Sequence, residues 1–172
     1  MLHGGDAMEK EQELSKLLRK KRYLRFYILG FVDAEGCFSV SIKNQETTRF
    51  GWVLDPIFQV TQHKNNKKVL EHIKGELRCG RIIEKSGQSD TLVYLVDNRR
   101  QLKEKIIPFF EKYRLVVKDA DFQKFKKIVE GLENKEHQSK EKFKELIKTA
   151  FEMNLEGKQR RYKLEEVLNG LK

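Results

Sequence analysis

Ile28-Leu29-Gly30-Phe31-Val32-Asp33-Ala34-Glu35-Gly36, running straight into Cys37-Phe38-Ser39-Val40-Ser41-Ile42-Lys43, is the stretch whose reading decides the fold of this chain. Residues 23–35 are dense in apolar side chains and read as a buried helix, closed by Gly36 as the residue type that most readily turns left-handed after a helix end. After Gly36 the period changes to two. Phe38, Val40 and Ile42 alternate with Cys37, Ser39, Ser41 and Lys43, the pattern of a strand with one face on a core and the other in water.

Working outward, residues 57–62 repeat the alternation, with Phe58 and Val60 inward, Ile57, Gln59 and Thr61 outward, and Pro56 at the strand's start, where a missing N–H is tolerated. Between residues 65 and 77 the spacing of Val69, Leu70, Ile73 and Leu77 returns to helix. Residues 80–85, a turn at 86–90 and residues 91–96 predict a hairpin, followed by a helix over 98–113. Beyond Lys118 the chain reads as helices: Phe122, Phe125, Ile128, Val129 and Leu132 form one stripe, Ser139 is placed to cap the next, and a short helix follows within 162–171. The predicted order α, ββ, α, ββ, α and a helical tail is an α+β layout. Residues 1–22, with Leu14, Leu17 and Leu18 and a basic end, predict an N-terminal helical extension; residues 23–172 predict one domain.

Composition narrows the function. The 172 residues include 11 Phe, enough aromatic material for a core, and 36 Lys plus Arg against 26 acids, a net charge of +10 that attracts polyanions. A surface rich in ion pairs would explain the abundance of charge but not its sign. No stretch approaches the roughly 20 apolar residues of a membrane span, and Asp6 and Glu9 near the start fit neither a secretory signal nor a transit peptide, so an intracellular protein is expected. Two cysteines, Cys37 and Cys79, are too few for a disulfide framework and lack zinc-site spacing, and the four histidines are scattered.

Asp33 and Glu35 break a local rule, because the partial negative charge at a helix C-terminus disfavours acids by about 0.3–1 kcal/mol each. Two readings stand: a bound cation relieves the crowding, or the acids bond neighbouring backbone donors. Gly30 and Ala34, four apart, put two small positions on one helix face, where another backbone approaches closely or where the sheet is merely accommodated.

The string 28–36 closely resembles the motif of LAGLIDADG homing endonucleases, and Phe58-Gln59-Val60-Thr61-Gln62, the αββαββα order and a basic tail resemble the same family. One copy of the motif is present, as in the single-motif type. The resemblance implies a homodimer with Tyr23, Phe26, Tyr27, Gly30 and Ala34 at the interface of paired motif helices. It implies Glu35 as the metal ligand, helped by the Ala34 carbonyl, with Asp33 more structural. Gln62 aligns with a residue that positions solvent, and Lys118 with the family's basic residue near the scissile phosphate. Mg²⁺ is the expected cofactor, with Mn²⁺ as a substitute, and double-stranded DNA the expected partner, with neither a membrane nor a small-molecule substrate. A sheet in the major groove makes Ser39, Ser41, Lys43 and Gln45, then Gln59 and Thr61, then Arg81, Ile83 and Lys85 a row of base readers. Lys158, Arg160, Arg161 and Lys163 are expected on phosphates, adding salt-sensitive affinity. The implied activity is a double-strand break with short 3′ overhangs at a long, roughly palindromic site, by an intron-encoded protein. Rival readings are an RNA maturase or a non-cleaving DNA-binding regulator of the same fold, and an unrelated basic protein bound, for example, to ribosomal RNA.

Overall fold

The change of period at Gly36 is a corner in the structure, a computed structural model that describes residues 10, 12–13, 16–17, 20–154 and 160–172. Helix α1 (Lys21–Glu35) passes directly into strand β1 (Gly36–Asn44) with no loop between them. β1 pairs antiparallel with β2 (Trp52–His63); a second hairpin, β3 (Arg81–Lys85) and β4 (Gln88–Val96), joins through β4, giving the order β1-β2-β4-β3. Helix α2 (Lys67–Leu77) links the hairpins. After β4 come the helical run α3 over 99–112, then α4 (Asp119–Glu133), α5 (Lys140–Phe151) and α6 (Leu164–Asn169). The α+β layout and its element order are those read from the sequence. Of the predicted opening helix, Leu17 lies in helix with an exposed side chain, while Leu14 and Leu18 fall outside the described residues.

Alternation explains the layering. Phe38 and Val40 of β1, Leu54, Phe58 and Val60 of β2 and Tyr94 and Val96 of β4 are buried beneath the helices. Phe38 is the hub, with its ring centroid 5.0 Å from Phe58, 5.4 Å from Phe110 and Phe122, and 5.3 Å from Phe125. Each such ring contributes about 1.5–3 kcal/mol by leaving water. Sheet, α3 and α4 are thus locked at the position two residues after the motif. The opposite face of the sheet carries no helix among the described residues and presents the intervening residues.

Four details depart from the sequence reading. Gly36 has φ −75° and ψ 157°, extended rather than left-handed. Its lack of a side chain matters for space: a Cβ there would lie 2.6 Å from both Val32 Cγ1 and the Val32 carbonyl oxygen. Pro56 sits inside β2, opposite Val40, and is tolerated because β4 pairs only with 58–63, leaving that side of β2 open. The second hairpin turns in two residues, Ser86 and Gly87, with β4 starting at Gln88; Gly87 takes φ +74°, the sign such tight turns require. Helix α3 is π-helical over Leu102–Ile106, where the Ile107 N–H reaches the Leu102 carbonyl just before Pro108, which has no N–H to give.

Gly36→Ala is expected to lose about 1–3 kcal/mol of stability in denaturant unfolding, through the clash with Val32. Wild-type stability in that variant would show that the corner has room.

Candidate functional site

The C-terminal end of α1 meets the segment that leads into α4, and the two grip each other. The Asp33 carboxylate accepts the backbone N–H groups of Val116 at 3.0 Å, Val117 at 3.0 Å and Lys118 at 2.9 Å. In return the Lys118 ammonium donates to the carbonyls of Asp33 at 2.6 Å and Ala34 at 3.0 Å. Partial burial alone would raise the Asp33 carboxyl; the N–H donors of Lys118, Val117 and Val116, with the Lys118 charge, outweigh it and hold the group below the usual carboxylate range. Of the two readings of the acid pair, Asp33 therefore takes the backbone-bonding one. Lys118 relieves the other half of the problem by placing a cation on carbonyls that the helix leaves without partners.

Glu35 is different. The residue is exposed, follows Ala34 directly in sequence, and its carboxylate pairs with nothing among the described residues. Glu35 and the Ala34 carbonyl form an all-oxygen donor set, which suits a hard divalent cation such as Mg²⁺ or Ca²⁺. Among the described residues no group of three or more His, Cys, Asp or Glu could hold a metal ion. Gln62, near the end of β2, has its side-chain oxygen occupied by the His63 N–H at 3.0 Å and the Asn66 amide at 3.1 Å. Its own NH₂ is left as the free donor.

The helix-free sheet face begins at this same end. Across it, Cys37, Gln59, Leu95 and Arg81 fall in one row and Thr61, Val93 and Ile83 in the next; Ser39 stands opposite Ile57, Ser41 opposite Asp55 and Lys43 opposite Val53. Ser39, Ser41, Lys43, Gln59, Thr61, Arg81 and Ile83 thus share one surface. Gln45 lies just past β1 in the turn, and Lys85 sits at an irregularity that shifts its partner to Gln88. Two features escaped the sequence reading. Beside Ile57, which the alternation already turned outward, the face holds apolar Leu95 and a buried Val93, and two of its cations are paired. Arg81 forks onto Asp97 at 2.7 and 2.6 Å, which holds that carboxyl below its ordinary range, and Lys43 meets Asp55 at 2.7 Å.

One expectation for the tail is corrected. Arg160 is half-buried, its guanidinium bonded to the carbonyls of Ala150, Met153 at 3.3 Å and Val40 at 3.5 Å and stacked 5.0 Å from the Phe151 ring, with burial lowering its pKa. A cation enclosed by carbonyls is an anchor for the tail, not a phosphate contact. Arg161 and Lys163 are exposed; Lys158 lies outside the described residues.

Among the described residues, nothing covers the face of α1 opposite the core. Ile28 and Val32 point inward, Tyr27 is half-buried, and Gly30 and Ala34 are exposed, with nothing within 4 Å of where a Gly30 Cβ would stand. Tyr23 is 50% and Phe26 52% exposed; beside the helix end, Val116 and Val117 reach 87% and 77%. The two valines were not singled out from sequence, where a lone Val-Val pair carries no signal.

A family model described as LAGLIDADG endonuclease matches residues 28–129. DNA endonuclease I-CeuI from Chlamydomonas moewusii is 37% identical over 152 residues, covering 79% of this chain and 70% of that protein. Homing endonuclease I-ApeII from Aeropyrum pernix is 40% identical over 106 residues, 62% of each. Among solved structures, the archaeal intron-encoded homing endonuclease I-Vdi141I complexed with DNA matches with a TM-score of 0.83 at 44% identity, over 88% of this chain and 96% of that one.

The two neighbouring arginines separate anchoring from phosphate contact. Arg160→Ala is expected to lower stability by about 1–3 kcal/mol. Arg161→Ala should leave stability unchanged and reduce the salt slope of DNA binding by about 1. Thermal melts and salt-titrated binding assays read the two effects; a reversed pattern refutes the assignment.

Proposed function

This chain belongs to the LAGLIDADG endonuclease family, and from that premise we propose that it is a metal-dependent homing endonuclease, working as a homodimer on double-stranded DNA. One observation carries the reading: at a single helix end Lys118 holds the Ala34 carbonyl and Asp33 is already saturated by backbone donors, while the next residue, Glu35, keeps an exposed carboxylate with no partner among the described residues. A second copy would bring a second Glu35, completing a donor set that one chain lacks.

Phosphodiester hydrolysis needs an activated water and relief of charge on the phosphate and leaving oxygen. Glu35 and the Ala34 carbonyl would hold a divalent ion, which when bound would supply both kinds of help, as a Lewis acid and by lowering the pKa of water. The chain's own residues do the remainder. Glu35 contributes the negative charge that retains the ion. Gln62, its oxygen tied to His63 and Asn66, turns its NH₂ toward the solvent that attacks. Lys118 offsets the charge that builds on the phosphate in the transition state. Ser39, Ser41, Lys43, Gln59, Thr61, Arg81 and Ile83 face base edges in the major groove, with Ile57 and Leu95 offering apolar contact to thymine methyls. Arg161 and Lys163 meet phosphates.

The homodimer reading rests on the uncovered face of α1. Tyr23, Phe26, Gly30, Ala34, Val116 and Val117 form an apolar band at the site, more than a monomer leaves in water without a reason. Pairing through Gly30 and Ala34 would bring the two helix ends together and present identical sheets to opposite half-sites, so the target would be roughly palindromic.

Purified protein with Mg²⁺ is expected to make one discrete cut in plasmid DNA carrying the host locus joined without its intron, and none in the presence of EDTA; no cut would refute the reading. Glu35→Gln should keep site binding and cleave at least about 100-fold more slowly, because it removes the charge that holds the ion. Gly30→Leu should push the paired helices apart and give a monomer in light scattering, whereas an intact dimer would place the interface elsewhere.

A further inference from the structure

The Lys118 ammonium sits on an oxygen that a divalent ion would use. The last carbonyls of an α-helix have no partner inside it, and the partial negative charge there draws cations. In α1 the Gly36 N–H takes the Val32 carbonyl, and Lys118 Nζ takes the next two, at 2.6 Å from Asp33 and 3.0 Å from Ala34. Next to that ammonium lies the Asp33 carboxylate, already filled by three N–H donors, with the Cys37 thiol also within reach of its charge; Glu35 follows in sequence directly after the Ala34 carbonyl.

Building on the nuclease reading, we infer that Lys118 is a placeholder cation: it fills the Ala34 carbonyl in the free protein and is displaced when a divalent ion binds there. An ammonium and a dication cannot both press on one carbonyl oxygen, because their repulsion at that range exceeds what the oxygen offers either. The displacement needs little motion. The Lys118 backbone stays fixed by its N–H bond to Asp33, and only the side-chain torsions change, swinging the charge off the helix end toward the phosphate. Ion binding and delivery of the lysine then become one event. By linkage, the factor by which Lys118 weakens ion binding equals the factor by which the ion weakens the hold of the carbonyls on Lys118.

The test uses the full chain without DNA. Mn²⁺ affinity, followed by the electron paramagnetic resonance of the free ion, is expected to be about 10-fold tighter in Lys118→Met than in wild type, within the usual range of site-to-site coupling. Lys127→Met, which removes an equal charge from an exposed position of α4, should match wild type. In the wild-type protein the ¹⁵Nζ resonance of Lys118 should lose its hydrogen-bonded shift as Ca²⁺ is added. Equal Mn²⁺ affinity in wild type and Lys118→Met, binding by neither, or a Lys118 resonance unmoved by saturating Ca²⁺ overturns the inference. Should Lys118→Met fail to fold, the wild-type resonance decides alone. A wild-type protein that cuts its locus but fails these binding tests leaves the nuclease reading standing and removes only the placeholder.

Discussion

Two helix ends exchange charge, and the working end of the molecule is built on that exchange. Asp33 gives a carboxylate to the backbone that starts α4, and Lys118, at that start, returns an ammonium to the carbonyls that finish α1. Each half removes a defect the other helix would carry: unpaired N–H groups on one side, unpaired carbonyls on the other. Because Lys118 bonds the Ala34 carbonyl, one residue before Glu35, the interaction that stabilises the junction also fixes the backbone from which the proposed site projects. The fold and the chemistry are therefore not separable at this point.

The corner at Gly36 extends that rigidity into the sheet. Since α1 enters β1 without a loop, and Phe38 two residues later is held by four aromatic rings, the helix end and the helix-free sheet face keep a fixed relation. α1 divides its own surface accordingly. Ile28 and Val32 bind it to the core, whereas Tyr23, Phe26, Gly30 and Ala34 remain uncovered.

Much of this was legible in the sequence, for identifiable reasons. Period-two alternation gave β1 and β2 with the correct faces, because a half-buried sheet leaves no other way to bury Phe38, Val40, Phe58 and Val60. The motif 28–36 marked the site, since two acids at a helix C-terminus oppose the helix dipole and demand an explanation. What stayed hidden depended on contacts between distant residues. No local pattern says that Asp33 will bond residues 116–118, that Arg160 will be enclosed by the carbonyls of Val40, Ala150 and Met153, or that Asp97 will hold Arg81. Gly36 was assigned the right importance for the wrong reason, because the need for space beside Val32 appears only once helix and strand are joined. The π-helical turn before Pro108 likewise follows from packing along α3, which the apolar spacing does not distinguish from an ordinary helix.

The pairs Lys43–Asp55 and Arg81–Asp97 have a bearing on how such a surface searches a genome. Each exposed ion pair is worth about 0.2–1 kcal/mol, so setting both cations free costs about 0.4–2 kcal/mol wherever the protein lands. At a wrong sequence nothing at the base edges returns that energy, and residence there is short. If these two cations read bases as proposed, a guanine at the right site would replace the carboxylate as acceptor and the protein would stay. Under the proposed mode of binding, acids placed among the cations of this face would penalise indiscriminate binding, offsetting part of the general attraction that a charge of +10 exerts on DNA.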